Sequence, residues 1–230
     1  MQNKEHSCSI NTIGKIYSQK FDLKMKSFNR LSLAIILFIT VSVFSKGAES
    51  SVNAKRAAST NYVSLDGQSL SKGNVVSKDG EIHKVDVPLL HLIRTKSNLH
   101  KGTVLLIPGG DYETLKLKSE CESTTRFLNA QNFDVAVLEY CVGSDIQTRN
   151  MALTDALKAF RLLKGNKNLQ GLNTDHLLAM GFASGGHLAA KAVQRMNKKE
   201  QPNELILVSP SYMNETLAGT VYAAVLPPLE

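Results

Sequence analysis

The chain predicts an α/β fold, a mainly parallel sheet with helices on both faces. Three observations carry that expectation. Short continuous apolar runs at 103–107, 134–140, 177–180 and 205–208 suit buried strands. Helix-compatible stretches lie between them at about 114–129, 152–163 and 186–196. Strands alternating with helices in this way require right-handed crossovers, which lay the helices over both faces of one sheet.

Taken in order, residues 1–24 form a polar, Lys-rich leader with no structural logic of its own, and Met25 stands where an export signal would start. Residues 25–48 have the basic start, short apolar core and small closing residues of a signal peptide. The apolar run 31–44 is fourteen residues long, short of the roughly 20 needed to span a bilayer. Cleavage and a secreted or periplasmic product are therefore expected, with an uncleaved membrane anchor at 31–44 as the alternative. Residues 49–80, rich in Ser, Lys, Asn and Gly, read as a linker, and residues 81–230 as the folded domain.

Within the domain, residues 83–93 look extended, and Pro88 argues for an edge strand. Thr103-Val104-Leu105-Leu106-Ile107 ends at Pro108-Gly109-Gly110 and reads as a buried strand. Ala152, Ala156, Ala159, Phe160 and Leu163 fall at helical spacing, with Asp155, Lys158 and Arg161 off that stripe. Leu226-Pro227-Pro228-Leu229-Glu230 reads as the approach to a further strand, so the sequence looks cut short before its last strands.

Composition excludes several function classes. The net charge is +7, of which residues 1–24 and 25–50 carry +2 each and residues 51–230 carry +3, without a basic stripe or interleaved aromatics. Nucleic-acid binding is not expected. The chain has no G-x-x-x-x-G-K-[ST], G-x-G-x-x-G, H-E-x-x-H or C-x-x-C, and its six histidines show no ligand spacing. No cofactor or metal is expected. Cys121 and Cys141 fit two unpaired thiols, although an oxidising compartment would permit a bridge. Asn214-Glu215-Thr216 is a glycosylation sequon.

Two glycine turns carry the chemistry. In a parallel sheet ligands bind beyond the carboxyl ends of the strands. Pro108-Gly109-Gly110-Asp111-Tyr112 and Gly181-Phe182-Ala183-Ser184-Gly185-Gly186-His187-Leu188 both lie at such ends. The first can turn backbone N–H groups toward a developing oxyanion. The second has the strand–turn–helix frame of a nucleophile elbow, G-x-S-x-G, with its serine one place late.

These residues resemble the α/β-hydrolase superfamily. The segment Leu105–Tyr112 is similar to the "PGGGY" oxyanion loop of its esterase/lipase group, and Gly181–Ala189 is similar to the "GFSAGGHLA" elbow, in particular that of carbohydrate acetyl esterases. Asp155 also stands where this group has a helix aspartate. The resemblance covers about residues 85–230. It implies a secreted serine esterase acting on a small-molecule or carbohydrate ester, with the Gly109, Gly110 and Ser184 amides around the oxyanion.

Three departures qualify it. Alignment on the glycines puts Ala183 in the nucleophile slot. Ser184 is a displaced candidate only if Phe182 can occupy a place that needs a small residue. After Ser184 the chain offers only Glu200, Glu204, Glu215 and Glu230 as acids, and only His187 as a base. His187 stands where the family has a packing histidine, so the acid and base of a triad are expected to be absent. Asp111 replaces a loop glycine and sets a carboxylate beside an anion site. A catalytically silent relative that binds a ligand or partner is the alternative to an impaired esterase.

Overall fold

The computed structural model describes residues 61–167 and 169–213, together with the backbone of Ala224–Leu226. Residues 1–48, for which a leader and a signal peptide are expected, lie outside the described residues. Eight strands form one sheet: β1 (Asn61–Ser64), β2 (Ser69–Leu70), β3 (Leu89–Ile93), β4 (Thr103–Ile107), β5 (Asp134–Glu139), β6 (Leu177–Phe182), β7 (Glu204–Val208) and β8 (Ala224–Leu226). Their spatial order is β2-β1-β3-β5-β4-β6-β7-β8. From β5 through β8 every neighbouring pair is parallel, whereas β1, β2 and β3 run antiparallel to their neighbours. The expected mainly parallel α/β sheet is present.

Three α-helices connect the parallel strands: α1 (Ser123–Ala130), α2 (Ile146–Gly165) and α3 (Ala183–Arg195). The β4–α1–β5 crossover moves one way along the sheet, and β5–α2–β6 and β6–α3–β7 move the other way. Right-handed crossovers therefore set α1 on one face and α2 and α3 on the other.

Period-two geometry assigns the strand residues to these faces. Leu105, Ile107, Ala136, Leu138, Leu177, Ala179, Leu205 and Leu207 share a core with Ala152, Ala156, Ala159, Phe160 and Leu163 of α2 and with Leu188, Ala189, Ala192 and Val193 of α3. The alternate residues Val104, Leu106, Val135, Val137, Leu178, Met180 and Ile206 are buried toward the opposite face. Asp145 starts α2 by accepting the Thr148 N–H at 2.8 Å, with the Thr148 hydroxyl at 2.6 Å on its other oxygen. No helix among the described residues is long and apolar enough to cross a membrane.

Three expectations need correction. The linker assigned to 49–80 contains β1 and β2, joined by a turn in which Gly67 has φ +86° and donates to Ser64 O at 2.8 Å. Counts of Ser, Lys and Asn hid the pairing of Val63, which is fully buried, with Leu90. Pro88 does not mark an edge, because it precedes β3, which lies between β1 and β5. Its carbonyl accepts from Leu65, and its missing N–H falls outside the ladder. The helix expected from 114 starts later, as a π-helical stretch Leu117–Glu122 leading into α1, because Leu115 pairs with Ile82 in an antiparallel bridge.

Candidate active site

The turns after β4 and β6 meet in space. These strands are neighbours, and the chain leaves them toward opposite faces, into α1 and α3. That is a topological switch point, where an open α/β sheet forms a crevice at its carboxyl edge.

The elbow is built by close approach. A Cβ on Gly181 would lie 2.7 Å from Gly185 O, and one on Gly185 would collide with the Ile107 and Pro108 carbonyls. Only glycine lets α3 start this close to β4 and β6. The residue at the tip, Ala183, has φ +44°, a left-handed conformation that is costly for a residue with a side chain. Ala183 thus holds the strained position a nucleophile takes, and its methyl group offers no nucleophilic atom.

Ser184 lies one residue further into α3 and is fully buried. Its hydroxyl is adjacent to that of Tyr140 but makes no hydrogen bond of ordinary geometry among the described residues. The Tyr140 hydroxyl donates instead to Pro108 O at 2.8 Å. A fully buried Ser184 is not presented to solvent, as the displaced-nucleophile expectation requires.

The facing loop is held in an unusual conformation. Gly110, Asp111 and Tyr112 have φ +123°, +57° and +68°, and Gly110 O accepts the N–H groups of Glu113 (2.9 Å) and Thr114 (3.0 Å). A Cβ on Gly109 would sit 3.0 Å from Ala183 Cβ, which places this glycine against the elbow tip. Its N–H, however, donates to Glu120 Oε2 at 2.6 Å. The Gly109 amide is engaged within the protein and is not free for an oxyanion. Burial raises the Glu120 carboxyl above the usual carboxylate range, opposed by the Gly109 hydrogen bond and the Lys116 charge. Asp111 turns outward and accepts the hydroxyl of exposed Tyr212 at 3.3 Å.

His187 sits one helical turn past Ala183, with Nδ1 2.8 Å from the Tyr112 hydroxyl. Desolvation, with the Lys191 and Arg149 charges, lowers its pKa to about 4, so the ring is neutral near pH 7. Burial raises Tyr112 above the ordinary tyrosine value. The His187 ring meets Tyr112 and Tyr212 edge-on, at centroid distances of 6.0 and 5.7 Å. This is a packed, hydrogen-bonded histidine.

Of the other candidate acids, Glu200 pairs with Arg161 at 3.4 Å, and Glu204 begins β7 at the amino end of the sheet, away from the crevice. Glu215 and Glu230 lie outside the described residues. Asp155 is structural in this arrangement: its Oδ2 accepts the Cys141 N–H at 3.0 Å and ties α2 to the end of β5. Cys121 and Cys141 are free thiols.

Elsewhere, Asp79, Glu81 and His83 bring ligand-type atoms within 4.8 Å of one another at the surface. Asp79 accepts from Glu81 N–H and His83, and Glu81 accepts from the Thr114 hydroxyl, so internal hydrogen bonds account for the cluster. Sequence reading missed Glu120, Arg149 and Tyr212 at the crevice. No motif spacing links them, because strand order and loop return bring them there.

No protein-family model matches the chain. An acetylxylan esterase of Xylanibacter ruminicola is 27% identical over 104 residues, 45% of this chain and 21% of that protein. The match thus spans about a fifth of the length of that curated relative. Among solved structures, esterase 2 of Thermogutta terrifontis aligns with a TM-score of 0.48 at 18% identity, covering 60% of this chain and 58% of that one. The sugar hydrolase YeeB of Lactococcus lactis aligns with a TM-score of 0.47 at 21% identity, covering 59% and 60%. Over part of its length the chain is thus similar to esterases and a sugar hydrolase.

Proposed function

We propose that this chain is an ester-hydrolase-type protein of α/β-hydrolase descent whose crevice takes an acetylated carbohydrate or a similar small ester. In the form written by this sequence it binds such an ester without the acyl-enzyme step. Support for the ligand class comes from the two glycine turns at the switch point and from the acetylxylan esterase, which carries that activity in its own name. The observation that carries the loss of turnover is Ala183 at the left-handed elbow tip with Ser184 buried beneath it. Removing a triad serine costs on the order of a millionfold in turnover, leaving about a thousandfold over water from the rest of a site. Export through residues 25–48 belongs to the same proposal, and amino-terminal sequencing of secreted protein tests it.

The test of the function is covalent. The full chain, shown to be folded, is treated with a serine-reactive fluorophosphonate, and binding of an acetylated xylo-oligosaccharide is followed by calorimetry. Saturable binding without labelling is the expected result. Labelling that disappears in Ser184→Ala would overturn the silent reading and restore an acyl-transfer enzyme.

A further inference from the structure

The ester reading leaves one cation at the crevice unexplained. Arg149 stands in the first turn of α2, where a positive side chain works against the helix dipole, so α2 itself gains nothing from it. Its guanidinium lies 5.5 Å from the Tyr112 ring centroid and 5.9 Å from that of Tyr212. The two rings are 6.5 Å apart and inclined by 36°, and both attract the cation through their faces. Among the described residues Arg149 has no ion-pair partner. Asp111, on the same aromatic group, is engaged by the Tyr212 hydroxyl instead. Tyr212 itself is 53% exposed, a large ring open to solvent.

These features describe a cation positioned by its neighbours and not neutralised by them. A planar guanidinium offers forked N–H donors that match a carboxylate in a two-point contact. A neutral ligand would not need the charge.

We infer that Arg149, held by Tyr112 and Tyr212, is a carboxylate subsite, and that the carbohydrate taken by the crevice is an acidic one bearing a uronic acid unit. The word carbohydrate rests on the function proposed above; the carboxylate contact rests on Arg149 and the two tyrosines. It is tested by calorimetry of the full chain with two probes of similar length, an acetylated oligogalacturonide and a neutral acetylated xylo-oligosaccharide. The acidic probe should bind more tightly on the order of tenfold, the scale of one charge-assisted two-point contact. That margin should shrink with added salt.

Arg149→Gln should abolish the preference for the acidic probe, and Arg149→Lys should restore only part of it. Arg149 is exposed, so both variants are expected to fold, and thermal melting checks this. Equal binding of the two probes by the unaltered protein, or an unchanged preference in Arg149→Gln, would overturn the inference and leave the proposed function standing. Binding of neither probe would overturn the carbohydrate reading, and this inference with it.

Discussion

Glu120 accepts the Gly109 N–H at 2.6 Å, so a carboxylate from the segment after the loop closes the turn that the glycines leave open. The Gly109 amide is satisfied, and the loop is braced against the elbow tip at Ala183. Glu120→Gln keeps an acceptor and is expected to change stability little. Glu120→Ala leaves that amide without its partner and should cost about 1–3 kcal/mol in chemical denaturation, toward the lower end because Glu120 is only partly buried.

The same residue sets a pH dependence. Burial raises its folded pKa above the ordinary 4.5. The stability it contributes is therefore fully present below the unfolded pKa and is lost as pH rises through the folded value. Denaturation midpoints measured from pH 4 upward should fall less steeply in Glu120→Gln than in the unaltered protein. Identical profiles would contradict this.

His187 runs the opposite way. Its folded pKa lies near 4, below the ordinary 6.5. Its contribution is present above the unfolded value and is lost as pH falls from 6.5 toward 4. In an NMR titration the His187 ring should stay neutral at pH 6. A midpoint near 6.5 would show that the Tyr112 and Tyr212 packing does not exclude water from it.

Gly185 tests the elbow frame. Gly185→Ala drives a methyl group into the Ile107 and Pro108 carbonyls and is expected to destabilise by more than about 3 kcal/mol, beyond the range of ordinary substitutions. Gly165→Ala is the control, because an added Cβ there meets nothing within 4 Å. It stands at the end of α2, where alanine should stabilise by up to about 1 kcal/mol. Thermal melting of the pair separates close backbone contact from a general effect of losing glycine.

Ser184→Ala removes a buried hydroxyl that lacks a well-formed hydrogen bond. It should leave ligand binding unchanged and keep stability level or raise it by up to about 1 kcal/mol. A loss of stability beyond that amount would mean that the hydroxyl has a partner in solution, with Tyr140 as the neighbour to test first.

Much of this molecule was legible before folding. The runs at 103–107, 134–140, 177–180 and 205–208 became β4, β5, β6 and β7 nearly residue for residue. Buried parallel strands are continuous in their apolar character, which is a local property. The two glycine turns were legible for the same reason, since a glycine forced by a close backbone approach leaves its mark at the position itself. The β1–β2 hairpin was missed because two-residue and four-residue strands at a sheet edge carry too little pattern to outweigh a polar composition.

What the sequence by itself determined is the scaffold: the mainly parallel sheet, the paired turns at its carboxyl edge, and Ala183 in the slot of the elbow. Only the tertiary structure decided that Ser184 is buried, that Glu120 holds the Gly109 amide, and that Tyr112, Arg149, His187 and Tyr212 meet in one cluster. Strand and turn formation are governed by neighbours along the chain. Meetings between loops are governed by strand order and register, which place the ends of β4, β6 and β7 and the start of α2 side by side.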